Sequence, residues 1–156
     1  MKRETVEFSV DDIGKFVCHV ELNMKESAIV EMDMTRHLGF ERNFFYKKQI
    51  ADMKRSVYQK AEKAVFGDKI PEKHDDVTWK KVEDWIEEND SVSRGIINEA
   101  EGEYDKWRFI YGFPLLCIEC PPGFDKDISS LGEVEIWTFI LKYHKEKEAI
   151  GNKKKE

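Results

Sequence analysis

Catalytic signatures are missing from this chain of 156 residues. Its nine glycines each stand alone, so no glycine-rich loop is available to wrap a phosphate. No GxSxG, HExxH or EF-hand pattern occurs. Cysteine is scarce: Cys18, Cys117 and Cys120 are too few, and odd in number, for a disulfide framework. Long apolar runs are lacking as well. The longest, Phe109 to Ile118, is interrupted by Gly112 and Pro114 and is too short to span a bilayer. No apolar run follows Met1-Lys2-Arg3-Glu4, so the expectation is no secretory signal, no membrane partner and a soluble protein of the cytoplasm. Asn89-Asp90-Ser91 fits the glycosylation acceptor pattern, which carries no weight without such a signal. An excess of basic charge is also absent. Acidic residues outnumber basic ones 32 to 26, which disfavours non-specific nucleic-acid binding and suits solubility or a basic partner.

Hydrophobic and aromatic residues are plentiful, with Trp79, Trp85, Trp107 and Trp137 spread along the chain. That argues for a packed core rather than disorder. The periodicity predicts an α+β fold: a small N-terminal antiparallel β-meander packed with about four α-helices. Residues 1–150 are read as one domain and 151–156 as a flexible lysine-rich tail. In the meander, Val6, Phe8 and Val10 alternate with polar residues, as do Phe16, Cys18, Val20 and Leu22. Ala28, Val30, Met32 and Met34 form a third alternating set after a polar turn over Asn23 to Ser27. Tyr46, Ile50, Met53, Val57, Ala61 and Ala64 then recur at helical spacing, with Asn43 as N-cap and Gly67 as stop. Lys47, Lys48, Lys54, Arg55, Lys60 and Lys63 give that helix a basic face. A second helix starts at Asp76, with Trp79, Val82, Trp85 and Ile86 on one stripe. A third follows Ser91, and Pro114 argues against one continuous element over Phe109 to Cys120. The last helix is expected over Leu131 to Glu148. Ser130 and Glu133 form its capping box, and Leu131, Val134, Trp137, Leu141 and His144 its apolar stripe, with Ile140 beside it. The expected core includes Phe16, Val20, Tyr46, Ile50, Val57, Trp85, Trp137 and Leu141.

Few residues offer chemistry. Cys117-Ile-Glu-Cys120 is a single CxxC pair, whereas a tetrahedral zinc site needs four ligands and no other Cys or His stands at ligand spacing nearby. A redox pair is expected at a helix N-terminus, and here Pro121-Pro122 follows instead. Buried structural cysteines are the favoured reading, with metal or redox use as the alternative. His74-Asp75-Asp76 evokes a metal-dependent hydrolase but lacks further ligands, so a solvated loop before a helix cap is preferred. His144 falls near a helix C-terminus, where positive charge is favourable. Glu31 and Asp33 are expected on one solvated strand face. No residue is therefore assigned a catalytic, cofactor-binding or metal-ligating role, and no cofactor is expected. Four helices with wide apolar stripes and a small sheet are expected to carry more apolar face than one monomer can hide, which would favour self-association or a dedicated protein partner.

The order of a short meander, helices, the Pro122-Gly123-Phe124-Asp125 turn, a capped helix with Trp137 and Tyr143 and a Lys/Glu-rich end resembles tail assembly chaperones of long-tailed bacteriophages. The resemblance lies in layout over roughly 120–148 and the tail. It implies a non-enzymatic, self-associating protein that coats the tape-measure protein during virion morphogenesis. Genes of that family often end in a slippery run, and Lys153-Lys154-Lys155 is what an A-rich run would encode. The alternative is an acidic inhibitor, immunity or anti-defence protein. It would cover a basic toxin or nuclease with Glu83, Asp84, Glu87, Glu88 and Asp90.

Overall fold

In the computed structural model, residues 2–39 and 45–155 are described. The protein is α+β, with a three-stranded antiparallel sheet and five α-helices among the described residues. The chain forms two compact units, one of Met1–Leu38 with Asp105–Glu156 and one of Gly39–Tyr104.

The first unit is built on a hairpin of β1 (Thr5–Val10) and β2 (Gly14–His19). Strict alternation sends Val6, Phe8 and Val10 inward and leaves Thr5, Glu7 and Ser9 exposed. The register sets Phe8 opposite Phe16, and their rings stack at 5.4 Å. Asp12 turns the chain at φ 67°, and Gly14 follows at φ 134°. A Cβ on Gly14 would lie 2.7 Å from the Pro121 ring, so glycine is required there by conformation and by space.

The expected third strand is a helix, α1 (Met24–Leu38). Its start is a capping box at Asn23 and Glu26. The Asn23 side chain accepts from the Glu26 amide at 2.8 Å, and the Glu26 carboxylate accepts from the Asn23 amide at 3.0 Å. Val30 and Met34, one turn apart, are buried, whereas Ala28 and Met32 face solvent. The period-two set was a chance overlay on an i, i+4 pair. The third strand comes from far along the chain: β3 (Cys117–Glu119) pairs antiparallel with β2, Cys18 opposite Cys117, with an irregularity at Val17/Cys18.

Helix α4 (Ser91–Leu116) is continuous and carries Pro114 inside its last turn. Pro114 has no N–H to give the Ile110 carbonyl, so the last turn of the helix lacks one i→i−4 bond. Beyond Tyr104, Phe109, Ile110, Phe113 and Leu116 of this helix join the core of the first unit. The final helix, α5 (Glu133–Lys155), begins two residues later than expected and runs past Glu148. Glu133 is therefore the first helical residue and not the third. Its carboxylate meets Lys106 at 3.3 Å, so the Ser130 capping box does not form. Ser130 instead closes a 3-10 turn (Ile128–Ser130) capped by Asp127.

The buried face of α5 is Ile136, Phe139, Ile140 and Tyr143. Leu141 of the expected core is exposed, and Trp137 and Val20 are half-buried. Phe139 lies 5.0 Å from Phe16 and 5.7 Å from Phe113, ring centre to ring centre, mostly edge to face. Such pairs contribute about 0.5–1.5 kcal/mol beyond area burial. The Tyr143 hydroxyl donates to the carbonyls of His19 and Val20 and ties α5 to the end of β2.

The second unit holds α2 (Ile50–Phe66), α3 (Asp76–Asn89) and the first part of α4. A π-helical turn (Phe45–Gln49) leads into α2, and Gly67 at φ 62° ends it. Asn43 and the Tyr46 side chain lie outside the described residues. Asp75 caps α3 by accepting from the Thr78 amide at 2.8 Å. The core is Val57, Ala61, Val82, Ile86 and Ile97, with Trp85 partly buried against it. Ile50 is buried as expected, but Trp79 and Ala64 are exposed.

Candidate functional site

All three cysteines of the chain converge at the β2–β3 junction. Cys18 and Cys117 are directly opposed and buried. Cys120 lies just beyond β3 and is partly exposed. The Cys117 thiol lies close enough to those of Cys18 and Cys120 for their ionisations to influence one another. Lys126 donates to the Cys117 carbonyl at 3.0 Å, which holds an ammonium group beside the sulfurs. When protonated, Cys117 can donate to the Glu119 carbonyl at 3.4 Å.

These contacts divide the thiols by acidity. The hydrogen bond from Cys18, and then the Lys126 charge and the Cys120 contact, bring Cys117 down to about 7 against the opposing effect of burial. Cys18 is driven up by the same hydrogen bond and by its burial, so it stays protonated. Burial also raises Cys120. The single CxxC therefore has a third sulfur that spacing could not reveal, because Cys18 arrives through strand pairing. Among the described residues, no group of three or more Cys, His, Asp or Glu side chains is arranged to hold a metal ion.

The other candidates disperse. Glu31 and Asp33 do not share a strand face: Glu31 pairs with Arg108 at 2.9 Å, and the Asp33 carbonyl meets His37 at 2.8 Å. The His74 side chain is largely enclosed, 3.3 Å from Glu62 and with its ring 4.7 Å from Trp79. That corrects the solvated-loop expectation for His74. Asp75 beside it is committed to the helix cap. His144 is exposed on α5, and partial desolvation followed by the Lys147 charge lowers its pKa. It does not sit in the last turn of α5, which continues to Lys155. His144 and Lys147 border an open cleft of ≈ 390 Å³ with Arg108, Glu21 and Asp105. The charges there are of both signs, so no single-sign field forms.

Of the acidic residues on α3, Glu83 is engaged by Tyr58 and Arg94, and Asp84 by Lys80 at 3.3 Å. Glu87 and Glu88 are exposed in the last turn, where α3 carries no basic residue. The basic face of α2 is partly neutralised, by Glu101 on Lys54 at 3.0 Å and by Asp52 on Arg55 at 3.3 Å.

Helix α5 shows a second surface. Val134, Trp137 and Leu141 follow i, i+3, i+7 spacing on the side away from its buried face. Val134 is 81% exposed and Leu141 67%, with Trp137 flanking them half-buried. The apolar periodicity of the sequence was real, but the protein buries the neighbouring stripe. No helix among the described residues is long and apolar enough to cross a membrane. Comparison with protein families, curated proteins and solved structures finds nothing that matches this chain.

Proposed function

We propose that this is a non-enzymatic interaction protein, a tail assembly chaperone that holds the tape-measure protein while a long phage tail is built. One observation carries this reading: α5 is apolar on two sides and only one of them is covered. Val134, Trp137 and Leu141 have the a, d, a spacing of a heptad seam, the pattern that receives another amphipathic helix. A tape-measure protein offers long helical stretches of that type, and a second copy of this chain can use the same seam.

The test is co-expression with a long coiled-coil tape-measure protein. Soluble yield of that protein and the mass of the complex are measured by light scattering after gel filtration. Wild type is expected to raise the soluble yield and to co-elute. A Val134→Glu, Leu141→Glu variant should keep its helical spectrum and lose both effects. Equal yield with and without this protein, and no co-elution, would remove the reading.

The acidic inhibitor reading retains one supporting observation. Glu87, Glu88 and Asp90 crowd the C-terminal end of α3, where the helix dipole disfavours negative charge. A one-to-one complex with a basic protein that dissociates as salt rises, unaffected by the α5 changes, would favour it.

A further inference from the structure

The thiol cluster is not used by the interaction reading, and it has a built-in asymmetry. Cys120 is partly exposed at the edge of the core, whereas Cys117 and Cys18 are both buried. Cys18 stands opposite Cys117 across the β2–β3 pair, and Cys120 follows Cys117 by three residues. Two of them come from one short segment, and the third is about a hundred residues away in sequence. Buried cysteines serving only as small apolar groups have no need to meet one another. Cys120 also lies outside the β3 ladder, so its backbone can move without breaking strand pairing.

We propose that this cluster is a thiol-modification site for low-molecular-weight disulfides, in which Cys120 is the entry thiol, Cys117 resolves the adduct and Cys18 supports Cys117 as a hydrogen-bond donor. In the first step the Cys120 sulfur, losing its proton to solvent, attacks one sulfur of the small disulfide. A Cys120 mixed disulfide forms and one small thiol leaves with that proton. In the second step the Cys117 thiolate attacks the Cys120 sulfur, and the bond to the second small thiol breaks. That thiol leaves as a thiolate and takes up a proton. The protein loses two electrons and two protons, and the small disulfide gains them as two thiols. Cys117 is suited to the second step because its thiolate is populated near neutral pH. Cys18, held protonated, keeps a donor on that thiolate and is itself withheld from reaction.

The experiment uses the full chain, reduced and then incubated with oxidised glutathione under nitrogen. Free thiols are blocked with iodoacetamide, and the tryptic peptide Phe109 to Lys126, which holds both Cys117 and Cys120, is weighed. Wild type should yield that peptide lighter by two hydrogens, with Cys18 alkylated. Cys117→Ser should stop at a persistent glutathione adduct on Cys120. Cys120→Ser should remain unmodified while folded. Cys18→Ala should still close the disulfide, with the pH midpoint of the second step moved upward from about 7. Circular dichroism of each variant checks that the fold persists, and the wild-type result stands by itself if one does not fold. Three alkylated thiols in wild type, or a glutathione adduct that persists there as in Cys117→Ser, would overturn the proposal. So would reaction at Cys18 ahead of Cys120.

Discussion

Paired truncations at neighbouring positions of α5 ask which side of this helix the protein buries. Phe139 has no exposed surface and contacts Phe8, Phe16, Phe113 and Phe124 through its ring. Phe139→Ala removes a large buried group and leaves a cavity, which costs about 3–5 kcal/mol. Leu141, two residues on, is 67% exposed. Full burial of a leucine is worth roughly 1.5–3 kcal/mol, so the covered third contributes about 0.5–1 kcal/mol. Alanine returns a little of that through its better helix propensity. A difference of about 2 kcal/mol or more is therefore expected between the two variants. Urea unfolding followed by far-ultraviolet circular dichroism reads it as a shift of the midpoint, and amide hydrogen exchange on α5 locates it. The measurement is made at two protein concentrations, because self-association through Leu141 would make its cost rise with concentration. Equal destabilisation at the lower concentration would refute the assigned inner face of α5.

Three further outcomes are expected. Ile86→Ala in the second unit should cost about 2–5 kcal/mol, read by thermal or urea unfolding, since Ile86 is fully enclosed against Val57, Ala61 and Ile97. Gly14→Ala should cost about 1–3 kcal/mol from backbone strain alone, with the Pro121 clash added, and a neutral result in the same assay would contradict the turn geometry. Glu26 is held below its usual carboxyl range, first by Arg3 and then by the Asn23 amide. Its stabilisation is therefore present above an ordinary value near 4.5 and is lost as pH falls through the lowered one. Wild type should then exceed Glu26→Gln in melting temperature at pH 7 by an amount that vanishes on acidification. A constant gap across that range would exclude the carboxylate as its source.

The fold class was legible because β1, β2 and the stripes of α2 and α3 obey simple periods. The third strand was not. Ala28 to Met34 alternates well enough to imitate a strand, and the polar Asn23–Glu26 segment that caps the helix has the composition of a turn. Only three residues make up β3, and they directly follow a helix containing a proline, so no local period marks them. For α5 the difficulty was surplus. Two apolar stripes share one helix, and periodicity gives a stripe without saying which one has a partner. The CxxC was visible, but its third sulfur depends on the register of β2 against β3.

That same register sets an order of events during synthesis. β2 is complete by His19, yet the strand that covers its open edge is made about a hundred residues later. At ~5–20 residues per second, that edge waits roughly 5–20 s on the ribosome. The hairpin presents Phe8, Phe16 and unpaired backbone groups throughout that interval, which is the usual setting for wrong pairing with another chain. Residues 39–104 emerge meanwhile and can pack Val57, Val82 and Ile97 without help from the hairpin. The first unit is thus the last to close, and slowed translation between α1 and β3 should lower the yield of folded chains while leaving the stability of those already folded unchanged.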